Sequence, residues 1–557
     1  MARTPLMDRV IELSASHREA DRLQVSAVEL NDSRREAWAG HGSTISRREF
    51  LAGTAAAGAA LALGGVALPA TVRAATGPRI GIVGGGISGL SAALTLADAG
   101  YASTVFEAAG RVGGRMHSDG PGFLDDQGHW TDGQTSEWCG ELIDSGHKTI
   151  LSLAQRFRLA TADLLGAQPN GSEDTYFFGG QFYPAKQANS DFQPVHQALQ
   201  NDVQAASYPT TYLTHTAAGV ALDKMSVFDW IESRVPGGHT APMGKLLDVA
   251  YNIEYGAQTS DQSSLNLVYL LGYGAVPGNF SIFGKSDERY HIVGGNESLP
   301  AAIAAALQSG SIQLGWRMTA VVANNDGSVA LTFATPGGTK TQTFDRVILT
   351  LPFAVLRTLD YRNAGFDSLK QTAITQLGSG RNDKLQLQFR NRIWDGIGAW
   401  PGIGDGNSYA DTGYQNTWEV SRAQAGPSGI LVDYTGGTVA VAFRPSTAFS
   451  SAATNPQVTT YANAFLRQIE PVYPGITAQW NGKATLSAPA LDPNLNCSYA
   501  YWKVGQYVGF SGYEKVRQGN ILFAGEHCSQ DFQGFMEGGA SEGVRAASDL
   551  LTEIKKA

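Results

Sequence analysis

Cysteine is nearly absent: 3 of 557 residues, Cys139, Cys497 and Cys528, with no CxxC spacing. A disulfide-stapled scaffold and a structural zinc site are thereby excluded. Charge is scarce as well, at 16% against a usual ~25%. With 41 Lys and Arg against 50 Asp and Glu, the formal net charge is −9. Nucleic acid is therefore not an expected partner, because phosphate binding calls for clustered Lys and Arg. The 10 histidines show no convergent pattern, so no metal is expected. What is plentiful is glycine, 66 residues against a usual ~7%, beside 43% hydrophobic and 10% aromatic residues. That content can bury a large core, and at ~100–200 residues per domain the length implies more than one compact unit.

The N-terminal 74 residues read as an address. No residue from Leu51 to Val72 is charged, and Ser46-Arg47-Arg48-Glu49-Phe50-Leu51 precedes that stretch. A pair of arginines before a weakly apolar run resembles the twin-arginine export signal. Val72-Arg73-Ala74 offers small residues to a signal peptidase, which places cleavage after Ala74. The other reading is a retained anchor, for which the Ala/Gly composition is poorly hydrophobic. The resemblance implies the twin-arginine translocase as a partner during export and a periplasmic or secreted bacterial protein.

The next segment has the order of a dinucleotide-binding unit. Arg79-Ile80-Gly81-Ile82-Val83 reads as a buried strand, Gly84-Gly85-Gly86-Ile87-Ser88-Gly89 follows, and Leu90 to Ala99 has the Ala/Leu content of a packed helix stopped by Gly100. Thr104-Val105-Phe106 is a second strand, ending in Glu107. Strand, GxGxxG, helix, strand and acid satisfy the context that the fingerprint requires. Gly84 permits the tight turn, Gly86 lets a pyrophosphate approach the backbone, and Gly89 allows close helix–strand packing. The phosphates would meet unpaired N–H groups at a helix N-terminus, and Glu107 would accept hydrogen bonds from a ribose. These residues alone leave NAD and FAD both open.

Three further segments resemble the flavin-containing amine oxidase family, which includes monoamine, polyamine and L-amino acid oxidases. They are Gly110-Arg111-Val112-Gly113-Gly114-Arg115, Phe523-Ala524-Gly525-Glu526-His527 and Gly534-Phe535-Met536-Glu537-Gly538-Gly539. The resemblance covers about residues 77–555. It implies an α/β fold in which a Rossmann-like FAD-binding domain (75–145, 283–357 and 490–557) is interleaved with a mixed α+β substrate-binding domain (146–282 and 358–489). It implies FAD as cofactor, with Gly84, Gly86, Gly89 and Glu107 on the ADP half and Arg111, Gly114 and Arg115 along the pyrophosphate and toward the flavin. Gly525 and Glu526 would meet the ribityl–phosphate region, Met318 the adenine, and Met536 would open a helix whose dipole faces the flavin. One departure is Ala109, where the family often has Arg.

By the same resemblance Lys384, which alone would read as a solvated lysine at the end of the alternating strand Leu385–Phe389, matches the lysine that holds a water at flavin N5. Tyr499 and Phe535 would form the two walls of an aromatic cage, with Trp502 a further candidate substrate contact. Trp394, Trp400 and Trp418 read as core residues of the substrate unit's sheet. Of two alignments of the segment Asn496–Trp502, one makes Cys497 the attachment point of a covalent FAD; the preferred one places Ser498 there, as in bacterial relatives with a Ser-Tyr pair, and makes Cys497 a small buried residue beside a noncovalent FAD. The snake-venom-type L-amino acid oxidases have a carboxylate-clamping Arg where this chain has Ile143, and plant-type polyamine oxidases have an acid near Asp144 that could hold a distal ammonium. The implied reaction is hydride transfer from the amine α-carbon to flavin N5, hydrolysis of the imine to aldehyde and ammonia, and reoxidation by O2 to hydrogen peroxide. An L-amino acid oxidase, a tryptophan 2-monooxygenase-like enzyme, a dehydrogenase using another acceptor and a non-catalytic flavin-fold binding protein are the alternatives. A homodimer is compatible with all of these.

Overall fold

The computed structural model describes residues 77–277 and 279–556, and the export signal and leader lie outside them. The strand Ile80–Val83 is buried along its whole length. It is the centre of a parallel sheet ordered Ile521–Phe523, Arg346–Leu349, Ile80–Val83, Thr104–Glu107, Ile312–Leu314. Parallel strands covered on both faces favour continuous apolar runs, such as Val347-Ile348-Leu349. The helix Ile87–Asp98 rises from the glycine turn and stops at Gly100, whose left-handed backbone (φ +83°) lets its N–H donate to the Ala97 carbonyl. The C-terminal helix Met536–Ile554 lies against it so closely that a Cβ on Gly543 would stand 2.1 Å from the Ser88 carbonyl oxygen. An antiparallel meander, Arg317–Ala323, Val329–Thr335 and Gly338–Phe344, packs Phe333 on Phe106 with ring centroids 4.4 Å apart.

The second large sheet has eight strands, ordered Phe449–Ser451, Trp480–Ser487, Asn382–Phe389, Gly429–Gly436, Asn416–Glu419, Ser408–Ala410, Thr175–Phe178, Gln181–Phe182. All neighbours are antiparallel except Ser408–Ala410 beside Thr175–Phe178. Asn382–Phe389 is buried at every position, so the glutamines of its alternating pattern do not face solvent. Gln388 instead donates to the Thr131 carbonyl and to Gln134 Oε1, and Gln386 to the Glu137 carbonyl.

Four helices, Ala185–Ala206, Val227–Arg234, Pro242–Tyr255 and Ser264–Gly272, share one apolar cluster. Their ends follow local chemistry. Ser226 Oγ accepts the Asp229 N–H, Pro242 opens its helix, and Gly256 closes that helix at φ +62°. The last turn of Pro242–Tyr255 brings Ile253, Glu254 and Tyr255 to the wall of the main cavity.

Candidate active site

One cavity of about 650 Å³ is lined both by the glycine turn of the parallel sheet and by side chains of the eight-stranded sheet. At the first end, Gly84 has φ +109°, and a Cβ there would lie 2.4 Å from Thr350 Oγ1. A Cβ on Gly89 would lie 1.9 Å from the Gly84 carbonyl oxygen, so turn and helix close only around glycine. Gly86 differs: the nearest atom to a Cβ there is the Gly113 oxygen at 3.9 Å, so a side chain would stand in the cavity itself. Gly113 N–H donates to the Gly85 carbonyl at 2.9 Å, tying the second glycine loop to the first. Arg111 braces that loop through the carbonyls of Gly114 (2.7 Å) and Val112 (3.0 Å).

Glu107 is buried and accepts the Gly85 and Ala109 N–H groups, both at 2.7 Å, one on each oxygen. Arg115 and Glu526 pair with each other at 2.9 Å; Arg115 also donates to the Ser498 carbonyl, and Glu526 accepts the N–H groups of Gly534 and Ala500. Gly525, at φ +125°, gives Glu526 its approach. Met318 is buried at the start of its strand and lines the cavity. Met536 is the first residue of the C-terminal helix, whose Glu537 is turned away to accept the Thr149 and Ile150 N–H groups.

The helices Ile87–Asp98 and Met536–Ile554 both begin at the cavity, and neither has a side-chain N-cap. Free N–H groups and helix dipoles at those ends suit an anionic ligand, and the space a Gly86 side chain would fill suits a phosphate pressed onto backbone. The residues present therefore fit the phosphates of a dinucleotide cofactor.

At the other end, β-sheet register sets a row of side chains. Lys384 pairs with Tyr434, Tyr434 with Asn416, and Asn416 with Tyr409; all four line the cavity. Lys384 Nζ donates to Glu141 Oε2 at 2.7 Å, with the two side chains only 8% and 4% exposed. Trp418 Nε1 donates to the other oxygen, Glu141 Oε1, at 2.9 Å. Burial alone would raise the Glu141 carboxyl, but Lys384 beside it and the bonds from Lys384 and Trp418 hold it below the usual carboxylate value. The Trp418 ring meets Tyr434 edge-on at 5.0 Å, and the Tyr434 and Tyr499 hydroxyls lie 2.9 Å apart. Tyr499 also donates to the Glu254 carbonyl at 2.6 Å. Phe535 lines the same cavity and packs edge-on against His147 at 5.2 Å. Neither Glu141 nor Tyr434 is evident in the sequence, and Trp418, expected in the core of its sheet, packs against the cluster of Trp130, Val420, Ile430 and Val432 and also lines the cavity.

Ile143, Asp144 and Trp502, the candidate substrate-side residues, do not line the cavity. Ile143 is fully buried in an apolar cluster, exchanging backbone hydrogen bonds with Tyr290. Asp144 does not line the cavity: its Oδ1 accepts the Ser286 hydroxyl and the Glu288 N–H, and its Oδ2 lies 3.4 Å from His147 Nε2. Trp502 packs behind the site against Tyr507 and Phe510. Of the acids lining the cavity, Glu254 and Glu288 have carboxylates with no hydrogen-bond or ion-pair partner among the described residues, whereas Glu107, Asp125, Glu141, Asp492 and Glu526 are all hydrogen-bonded. Burial, then the nearby Asp144, pushes Glu288 up to about 8; burial, then Glu288, raises Glu254 well above the ordinary value. Arg422 also lines this region, held by its Nε on the Glu419 carbonyl. Cys497 is buried outside the cavity lining, and burial pushes its thiol up to about 11. Among the described residues no His/Cys/Asp/Glu group could hold a metal, and no helix is long and apolar enough to cross a membrane.

Comparison with known proteins agrees with this geometry. Polyamine oxidase 2 of Arabidopsis thaliana is 25% identical over 494 residues, covering 86% of this chain and 89% of its own. An L-amino-acid oxidase of Vipera ammodytes ammodytes is 22% identical, with 84% and 92% covered. The solved structure of cyclohexylamine oxidase from Brevibacterium oxydans IH-35A superposes with a TM-score of 0.71 at 19% identity, covering 86% of this chain and all of that one. The fold is thus the two-domain amine oxidase fold. Residues 44–64 match the signal sequence of the twin-arginine translocation pathway, the route by which the chain is exported; they lie outside the described residues. Residues 87–551 match the flavin containing amine oxidoreductase family, and with a glycine turn, two open helix N-termini and a buried lysine around one cavity the chain belongs to that family of flavin-dependent amine-oxidising enzymes.

Proposed function

We propose that the mature protein, residues 75–557, binds FAD noncovalently and oxidatively deaminates an amine that carries a second cationic group, in the periplasm or outside the cell. The observation that carries this reading is a single cavity joining the glycine turn and Glu107 to Lys384, Tyr499, Phe535 and the unpartnered acids Glu254 and Glu288. In this reading residues 75–145, 283–357 and 490–557 bind FAD, and 146–282 with 358–489 form the substrate side. Gly84, Gly86, Gly89 and Glu107 hold the ADP half, Met318 the adenine, and Arg111, Gly114, Arg115, Gly525, Glu526 and Met536 the phosphates and the rest of the cofactor. The position of Cys497 outside the cavity lining favours noncovalent binding. When bound, the flavin supplies a two-electron acceptor for the amine C–H bond and returns the electrons to O2 as hydrogen peroxide. Water hydrolyses the product imine to aldehyde and ammonia.

The chain's own residues have separable tasks. Tyr499 and Phe535 exclude water and orient the amine lone pair, and the Glu254 carbonyl fixes the Tyr499 hydroxyl. The carboxylates of Glu254 and Glu288 take the distal ammonium. Because the Glu288 proton leaves only near pH 8, the anion that attracts an ammonium forms as pH rises through that value. KM for a diamine is therefore expected to fall as pH rises through about 8, and Glu288→Gln removes that dependence. Glu254→Gln and Glu288→Gln each raise KM for diamines about 10-fold or more, the value of a charge-assisted hydrogen bond, and spare a benzylic monoamine. Equal effects on both substrates would contradict the assignment. Arg422 supports one other reading, an L-amino acid whose carboxylate it pairs. On that reading Arg422→Met, rather than the glutamate variants, abolishes turnover.

A further inference from the structure

The ion pair between Lys384 and Glu141 is closed on a third member. Glu141 accepts from Lys384 Nζ on one oxygen and from Trp418 Nε1 on the other, and all three side chains line the cavity. Two donors that meet opposite terminal atoms of one side chain require an acceptor at each. A carboxylate offers both; an amide would have to turn its NH₂ group toward one of the donors. The ammonium also stands over the Trp418 ring, 5.5 Å from its centre, so the indole meets Lys384 from one side while its N–H anchors the counter-ion from the other.

We infer that Glu141 is the positioning residue of Lys384: its carboxylate, locked by Trp418, is the counter-charge of the buried lysine and aims it into the cavity. This rests on the role proposed for Lys384 beside the flavin. A lysine this buried without a counter-charge favours its neutral form, and a neutral amine cannot stabilise charge developing on dioxygen. The other titratable groups facing the pair are Tyr434 on the neighbouring strand, Cys139 on the Glu141 segment, His291 from the strand Tyr290–Ile292, and Glu288. None of them bonds to Lys384.

The test follows the visible absorption of the bound oxidised flavin from about pH 6 to pH 10, a range below the ordinary lysine value, in the holoenzyme and in Glu141→Gln, Glu141→Asp and Glu141→Gln/Lys384→Met. Reoxidation of the reduced enzymes by O2 is measured over the same range. The wild type is expected to show no lysine step. Glu141→Gln gains one about two pH units or more below the ordinary lysine value, lost again in the double variant, and its reoxidation rate falls along the same curve. Glu141→Asp, which keeps the charge but withdraws it by a methylene, moves the step part of the way, so either single variant that folds with flavin is sufficient. Wild-type titrations in the glutamine and aspartate variants would overturn the inference. If Lys384→Met alone leaves reoxidation unchanged, the reading of Lys384 fails; if it slows reoxidation while Glu141→Gln stays flat with pH, the role of Glu141 alone fails.

Discussion

Lys384→Met is expected to slow the reaction of the reduced enzyme with O2 about 10²-fold, the cost of removing one preorganised charge from a water-poor site. Flavin content and the rate of anaerobic reduction by a good amine should change far less, because Lys384 bonds to neither the glycine turn nor the acids Glu254 and Glu288. The strand Asn382–Phe389 carries Lys384 in the middle of the sheet, held on both sides by Tyr434 and Ser487, so methionine should be accommodated without moving the backbone. One complication is predictable. Removing the ammonium leaves Glu141 buried with only Trp418 as donor, and an unpaired buried carboxylate costs several kcal/mol unless it takes up a proton. The double variant Lys384→Met/Glu141→Gln separates this stability cost from the loss of the positive charge. Slow reoxidation in both variants ties the effect to the charge, and unchanged kinetics in both would remove Lys384 from the reaction with O2.

Glu107→Ala should yield protein with little flavin. The carboxylate satisfies two backbone N–H groups, Gly85 at 2.7 Å and Ala109 at 2.7 Å, in a buried position. Its loss leaves both donors without their side-chain acceptor and removes the acceptor for the ribose. Hydrogen bonds to charged groups contribute about 1.5–3 kcal/mol each, so affinity should fall by roughly two orders of magnitude or more. The variant should purify largely colourless and regain absorbance only at high added FAD. Full flavin occupancy would contradict the assignment of Glu107 to the ribose.

The parts legible in the sequence are those whose physics is local. The glycine turn, the helix that follows it and the acid at the end of the next strand lie within Ile80–Glu107, and each residue type there answers to a backbone requirement within that short segment. Lys384 could be singled out only through family resemblance, and its partner could not, because Glu141 lies 243 residues away in sequence and meets it only once the irregular segment after Ser136–Glu137 packs on the eight-stranded sheet. Trp418, 277 residues from Glu141, has an ordinary core-like pattern and no local sign of its bond. Asp144 shows the converse. It has a suitable charge near a suitable place, but the Ser286 hydroxyl and the Glu288 N–H satisfy its Oδ1 and turn it into the support of the loop that presents Glu288. That loop is too irregular to carry a periodic signal, and Glu288 holds a positive φ of 47° that no pattern in the sequence announces.

Hydrogen peroxide release by the purified, FAD-loaded enzyme should be assayed with monoamines, diamines and polyamines, and L-amino acids, with an artificial electron acceptor run in parallel. Peroxide should form with O2, fastest with diamines or polyamines, weakly with benzylic monoamines and negligibly with L-amino acids. Turnover confined to L-amino acids would contradict the assignment of Glu254 and Glu288 to a distal ammonium, and turnover only with the artificial acceptor would contradict O2 as the oxidant.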